Sequence, residues 1–206
     1  MTIIGLYDKV YSTEEAKNPD SYIRMFEENS KLIENQDILI DDESYNAVMR
    51  LTADYAHDLK IKESYAKALP YLDRAIELFE NFNGFHKEKI NNVEFYKILR
   101  FDRGVAHYEL KNFNKSQVDF MWLKSNNPDH DVFKNWIYAL RLRKYNILIN
   151  ILWLIAVGSA IIGTLVDRKM NSLIHDLILY SGTIAFITAL IFETLKYITK
   201  RRLNAA

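Results

Sequence analysis

Side chains that could do chemistry are few in this sequence and lie far apart. Five histidines are present, but no two stand at a spacing that could hold a metal ion, and cysteine is absent. The acidic run Asp41-Asp42-Glu43 lacks the alternation and the glycine of a calcium loop, so it indicates the charged start of a helix. Phosphate-binding loops and nucleophile motifs do not occur. We therefore predict no catalytic residue, no metal site, no cofactor and no enzymatic activity.

Composition excludes further classes. The chain has 206 residues, is 49% hydrophobic, and contains only 6 Gly and 3 Pro, which excludes collagen-like and disordered chains. Its 27 basic and 27 acidic side chains cancel, so nucleic acid is not an expected partner. The mean hydropathy of -0.18 is that of an ordinary soluble protein. That average hides two very different parts of the chain.

Two uncharged runs near the C-terminus predict a transmembrane hairpin over residues 146–198. The first run covers residues 146–166, and roughly 20 apolar residues suffice to cross a bilayer as a helix. The second run, Leu177–Phe192, is also uncharged, and the second span is expected at about 174–195. A polar hexapeptide, 167–172, joins the two spans. Either run alone could be the buried core helix of a soluble protein. Two adjacent runs of spanning length favour the hairpin.

Basic side chains give the hairpin an orientation. Seven Lys and Arg flank the two spans on the side of the termini, and two lie in the connection, so both termini are expected in the cytoplasm, at the inner (cytoplasmic) membrane. Residues 199–206 then form a basic cytoplasmic tail. The seven are Arg141, Arg143, Lys144, Lys196, Lys200, Arg201 and Arg202, and the two in the connection are Arg168 and Lys169.

Residues 1–145 show helical periodicity and little strand signal. An amphipathic stretch runs from Ser21 to about Glu34, and Asp42 or Ser44 is expected to cap the next helix. Helices follow at about 44–60, 64–80, 92–110, 114–125 and 131–145. The last of these should continue directly into the first span, because neither Gly nor Pro intervenes. The fold class is therefore all-α.

Within this part, residues 99–130 resemble the tetratricopeptide repeat, a helix–turn–helix unit of about 34 residues. Gly104 and Ser116 match the small residues of the two helices, Phe113 and Phe120 match large ones, and Pro128 matches the terminal proline. Small residues at these positions let two helices approach closely, and the aromatic rings fill the space beside them.

A second copy lies upstream, and the best matches cover 50–80 and 96–130. Departures from the pattern include Arg103 where the family usually has Leu, and Glu80 in place of the proline. A generic antiparallel helical bundle stays open as the alternative. The residues of the second copy are Ala56 in its first helix and Tyr65, Ala68, Leu72 and Ala75 in its second.

The resemblance implies a concave groove that binds a protein partner or peptide. The leading hypothesis is a membrane-anchored, bacterial adaptor or scaffold with a cytoplasmic, tetratricopeptide-like helical domain at 1–145. The alternative is an oligomerising membrane effector, because toxin-like and phage-defence proteins resemble this layout of a small sensor fused to two spans. The candidate groove residues are Asn46, Arg50, Asp54, Arg100, Arg103 and His107.

Both spans carry small residues at helical spacing. Such stripes let transmembrane helices pack closely. Two interpretations stay open: packing of the hairpin's own helices, and self-association into a homo-oligomer. The residues are Ala156, Ser159 and Gly163 in the first span, and Ser181, Ala185 and Ala189 in the second.

The zero net charge is also an average. Residues 1–63 carry a net charge of −7, residues 64–145 of +4, and residues 146–206 of +3. An anionic leaflet would attract the basic part, so membrane lipid is an expected partner and the acidic N-terminal part should lie outermost. The alternative is that these charges are ordinary solvated surface.

Overall fold

The computed structural model describes residues 1–13, 17–34, 41–82, 93–165 and 172–204. Across these ranges the chain forms nine α-helices and no β-strand, which confirms the all-α prediction. The helices are α1 (Ile3–Ser12), α2 (Pro19–Glu28), α3 (Ser30–Ile33), α4 (Asp42–Ile61), α5 (Tyr65–Asn81), α6 (Glu94–Glu109), α7 (Phe113–Asn126), α8 (Asp131–Leu165) and α9 (Ser172–Asn204).

The chain divides into two compact units, Met1–Lys134 and Asn135–Ala206. We call them the helical unit and the hairpin unit. The division falls inside α8, as does the boundary placed at residue 145 from the sequence. Helix α8 is continuous over 35 residues, as the absence of Gly and Pro between 132 and the first span predicts.

The N-terminal helix α1 has no counterpart among the predicted helices. Thr2 caps it by accepting a hydrogen bond from the Gly5 amide at 3.1 Å, and it buries Ile3, Leu6 and Val10 along one face. The amphipathic stretch predicted over 21–34 is interrupted at Asn29, between α2 and α3. The cap of α4 is Asp41, whose carboxylate accepts from the Ser44 amide at 2.8 Å, and neither Asp42 nor Ser44 as predicted.

Aromatic packing joins α2, α4 and α5 into the core of the helical unit. The ring of Tyr55 stacks on Phe26 at a centroid distance of 3.9 Å and meets Tyr71 edge-on at 4.7 Å. The buried Tyr22 hydroxyl donates to the Leu51 carbonyl oxygen at 3.1 Å. Aromatic side chains bury large apolar areas, so these few rings account for much of the hydrophobic stabilisation here.

Close approach of α6 and α7 depends on Gly104. The Ser116 hydroxyl donates to the Gly104 carbonyl oxygen at 2.8 Å, and the ring of the fully buried Phe120 lies directly over the glycine. A Cβ atom on Gly104 would lie 3.1–3.3 Å from three atoms of that ring. This is the contact that the small-residue pattern predicts.

The other residues of the repeat pattern show graded burial. Their burial fits tight helix pairing, and membership of the tetratricopeptide family stays a prediction. Ala56, Ala68, Leu72, Ala75, Gly104, Ser116 and Phe120 are buried, Tyr65 and Phe113 are half-buried, and Pro128 is exposed.

Replacing Gly104 with Ala tests this contact. Alanine favours a helix by about 1 kcal/mol over glycine, but an extra methyl group in a packed core costs about 1–3 kcal/mol. We expect Gly104→Ala to lower the melting temperature of the full chain in detergent, followed by circular dichroism. Adding Phe120→Leu should recover part of the loss in a double-mutant cycle. A Gly104→Ala protein that melts at or above the wild type would contradict this packing.

In the hairpin unit, α8 and α9 are each long and apolar enough to cross a membrane. Their most apolar windows are only 17% and 11% buried, whereas the core helix of a soluble protein is mostly buried. The connecting residues 166–171 lie outside the described residues.

The two long helices pack through small residues. A Cβ atom on Gly182 would lie 2.7 Å from the Ser159 Cβ atom, and one on Gly163 would lie 2.8 Å from Leu179. Gly182 was not among the predicted packing residues. Of those predicted, Gly163, Ala185 and Ala189 are buried, Ala156 and Ser159 are half-buried, and Ser181 is exposed with its hydroxyl 3.3 Å from that of Ser159.

Candidate functional site

The six predicted groove residues divide into two groups of three, and the first group lies on an exposed surface. Arg50 donates from Nε to the Asp54 carboxylate at 2.9 Å, and its guanidinium lies 4.0 Å from the centre of the Phe95 ring. The Tyr11 hydroxyl donates to the same carboxylate at 2.5 Å. Asn46 is exposed one turn before Arg50. We call these five side chains, from α1, α4 and α6, the Arg50 face.

The charges of the Arg50 face are held in fixed positions. Partial burial of its hydroxyl and the adjacent Asp54 carboxylate raise the pKa of Tyr11 further above neutral pH, and the protonated hydroxyl donates to that carboxylate. Arg50 is restrained both by this carboxylate and by the aromatic ring below it. Its side chain is nevertheless 44% exposed. A partner would therefore meet a guanidinium that is already oriented.

The second group, Arg100, Arg103 and His107, lies on α6 where this helix packs against α5 and α7. The Asp119 carboxylate is 2% exposed and receives a two-pronged contact from Arg103, at 2.8 and 2.7 Å, together with Nη1 of Arg100 at 2.9 Å. Arg103 also pairs with Asp73 at 3.0 Å, and Arg100 with Glu80 at 3.1 Å. We call these five side chains the Asp119 cluster.

The Asp119 cluster explains the most unusual residue of the repeat pattern. Burial lowers the pKa of the Arg103 guanidinium, but the hydrogen bonds and the charge of Asp119 outweigh it and raise that pKa. Arg103, at a position where the resembled repeat usually has Leu, thus compensates a buried carboxylate on the next helix. Both arginines are engaged within the fold.

His107, the third member of this group, lies one turn after Arg103 and is 4% exposed. Its Nδ1 atom has no hydrogen-bond partner among the described residues. Burial lowers the pKa of His107, so the ring is neutral at physiological pH. It contributes packing at this position rather than a charge.

Asp119→Asn should destabilise the chain strongly, because it leaves two largely buried guanidinium groups without their shared anion. We expect a loss of about 3–5 kcal/mol. The matched control is Asp73→Asn, which removes an exposed carboxylate from the same Arg103 and should cost less than about 1 kcal/mol. Thermal unfolding of both full-length variants measures the difference. Equal losses would show that burial of Asp119 does not govern this cluster.

A second buried carboxylate was not anticipated from the sequence. Asp102 is 1% exposed and accepts from Lys60 Nζ at 2.9 Å and from His57 Nδ1 at 2.5 Å, which links α4 to α6. The hydrogen bond to Asp102 raises the pKa of His57 against the opposing effect of burial. Its signal in the sequence is an acidic residue on the buried face of α6, between Leu99 and Val105.

Among the described residues, no group of His, Asp and Glu is arranged to hold a metal ion.

Asp58, beside His57, is half-buried, and burial raises its pKa to about 6 from an ordinary value of 3.8. The folded chain therefore binds a proton here that the unfolded chain has already released between about pH 4 and 6. In that window, rising pH removes stability.

Asp58→Asn should consequently stabilise the chain at pH 8 and have little effect below about pH 4. The gain should be about 1 kcal/mol, because water screens the half-exposed carboxylate. Melting temperatures at pH 4, 6 and 8 test this, with the exposed Asp129→Asn as the control. A gain that does not change with pH would rule out this titration.

An apolar cavity of about 270 Å³ lies beside α6, and its lining residues Glu94 and Ile98 are close in sequence to Phe95 of the Arg50 face. Ile98 follows Phe95 by three residues on α6, so the two share a helix face. The cavity is smaller than most pockets for drug-sized ligands, and the exposed Glu94 and His130 lie at its rim. It is lined by Glu94, Lys97, Ile98, Phe101, Asn127, His130, Val132 and Phe133.

No protein-family model, no curated protein and no solved structure matches this chain. The resemblance to the tetratricopeptide repeat therefore depends on the named residues alone.

Proposed function

We propose that this chain is a membrane-anchored adaptor that presents a protein-binding helical domain at the cytoplasmic face of the membrane. One observation carries the proposal. The same chain holds a helical unit with its own buried core and two long apolar helices whose side chains stay mostly exposed. A soluble protein would have to leave that apolar surface in water.

The size of the exposed apolar surface supports the anchor. Leu154 is 74% exposed and Ile184 is 66% exposed, and similar side chains extend along both helices. Each apolar side chain of this kind is stabilised by about 1.5–3 kcal/mol when it leaves water. A bilayer provides that environment, and all the backbone hydrogen bonds of a helix are satisfied within it. The excess of basic side chains beside the termini favours a cytoplasmic orientation.

The composition of the Arg50 face supports binding of a protein. Arginine and aromatic side chains are enriched where proteins make strong contacts. Here Arg50 is held over Phe95, Tyr11 is 41% exposed, and Ile98, at the adjoining cavity, is also 41% exposed. A partner segment with an acidic side chain for Arg50 and an apolar side chain for the cavity fits this surface.

Self-association is not required by this proposal. The contacts of Gly182 with Ser159 and of Gly163 with Leu179 use the small residues within one chain. They favour packing of the hairpin's own helices as the role of the stripes. The oligomerising effector stays a prediction from the sequence layout.

Site-specific photo-crosslinking in membranes tests the proposed function. The full chain should first resist extraction by alkaline carbonate, since integral helices do. A photoreactive residue at Asn46 should then give a defined adduct that Arg50→Glu removes, because charge reversal repels an acidic partner. The matched control places the photoreactive residue at Val118, which is 63% exposed on α7.

Two results would contradict the proposal. Release of the chain by carbonate would remove the anchor. Identical adducts from positions 46 and 118 that persist in Arg50→Glu would show that the Arg50 face has no selective partner.

A further inference from the structure

Both long helices continue well beyond their apolar segments. Helix α8 begins at Asp131 and α9 ends at Asn204, whereas the uncharged runs start at 146 and end at 192. Within the hairpin unit, the rings of Tyr145 and Phe192 lie 5.8 Å apart, so these positions are level with one another. The helical turns just before Tyr145 and just after Phe192 therefore flank the same end of the hairpin.

Six basic side chains lie on those turns, and we call them the basic collar. Five of them are exposed, and Lys196 is 33% exposed. The hairpin unit has a single carboxylate at this end among its described residues, that of Glu193, which is 3.5 Å from Lys196. The six side chains therefore carry an excess of positive charge over this carboxylate. The collar consists of Arg141, Arg143 and Lys144 of α8 and Lys196, Lys200 and Arg201 of α9.

The chemistry of the collar suits phosphate groups. Three of its members are arginines, whose planar guanidinium groups bind phosphate oxygens through two parallel hydrogen bonds. Tyr197, 66% exposed on α9, and Tyr138, whose ring lies 5.8 Å from the Arg141 guanidinium, add the aromatic side chains typical of a membrane interface. Long basic side chains next to an apolar span extend to the headgroup layer.

We infer that the basic collar binds the headgroup phosphates of anionic phospholipids and selects them over zwitterionic ones. This inference rests on the proposed membrane anchor, because the apolar runs keep the collar at the level of the headgroups. It goes beyond orientation of the hairpin during insertion: the collar gathers a lasting shell of anionic lipid around the hairpin. Such binding weakens as ionic strength rises.

Lipid selectivity of the full chain in reconstituted vesicles tests this. Spin-labelled phosphatidylglycerol and spin-labelled phosphatidylcholine are compared in phosphatidylcholine vesicles by the fraction whose motion the protein restricts. We expect phosphatidylglycerol to be preferred about threefold or more at low salt, with the preference falling in high salt. Glycerol phosphate in solution, at matched ionic strength, should not displace the labelled lipid.

The collar variant Arg141→Gln/Arg143→Gln/Lys200→Gln/Arg201→Gln should reduce the preference to about one. Lys144 and Lys196 keep part of the positive bias, so the hairpin can still insert. The control removes four exposed cations from the helical unit, in Lys31→Gln/Lys111→Gln/Lys115→Gln/Lys124→Gln, and should keep the preference.

The outcomes separate this inference from the proposed anchor. If the wild type shows no preference, if the collar variant keeps it, or if glycerol phosphate displaces the lipid, the inference is overturned while carbonate resistance still supports the anchor. If the chain fails to insert into vesicles at all, the proposed anchor itself fails.

Discussion

A carboxylate that is buried away from water needs cationic partners. The helical unit contains two such carboxylates, Asp119 and Asp102, and its arrangement depends on pairing both. Asp119 on α7 takes its partners from α6, and Asp102 on α6 takes its partners from α4. An unpaired charge at either position would cost several kcal/mol, so these pairs oppose any movement that would separate Asp119 from α6 or Asp102 from α4.

One of these two sets of ion pairs, that of Asp102, also supports the Arg50 face. The Asp102 contacts hold α4 beside α6, and Arg50 of α4 then lies over Phe95 of α6. The exposed surface that we propose for partner binding is thus supported by a buried ion pair two to three turns away. Binding surfaces of this kind lose less conformational entropy on association, because their side chains are already oriented.

Sequence periodicity predicted most of the helices, because a buried face repeats every three to four residues. It missed α1, whose buried face of Ile3, Leu6 and Val10 is only three residues long. It offered Arg100 and Arg103 as groove residues without showing their contact with Asp119, because that shared partner is 16 or more residues away and belongs to another helix. It likewise missed Gly182, because the close contact of this glycine with Ser159 on the other long helix becomes visible only when the two helices are packed together. A buried charge or an interface glycine acts through its contact with a second helix. The sequence of one helix does not show which residue of the other helix makes that contact.

Both units use a small residue to bring helices together, yet the energetic reason differs. In the helical unit, Gly104 lets Phe120 lose its contact with water, and that burial stabilises the contact. Between α8 and α9, Gly182 faces Ser159 in a region where a bilayer would already surround every apolar side chain. With the proposed anchor in a bilayer, the hydrophobic effect would contribute little to association of α8 and α9. The gain would come from van der Waals contact and from polar atoms such as the paired hydroxyls of Ser159 and Ser181. With the proposed anchor in a bilayer, an added methyl group should therefore act differently in the two units. At Gly104 it strains a core that hydrophobic burial stabilises, whereas at Gly182 it would separate two helices whose surfaces lipid can cover.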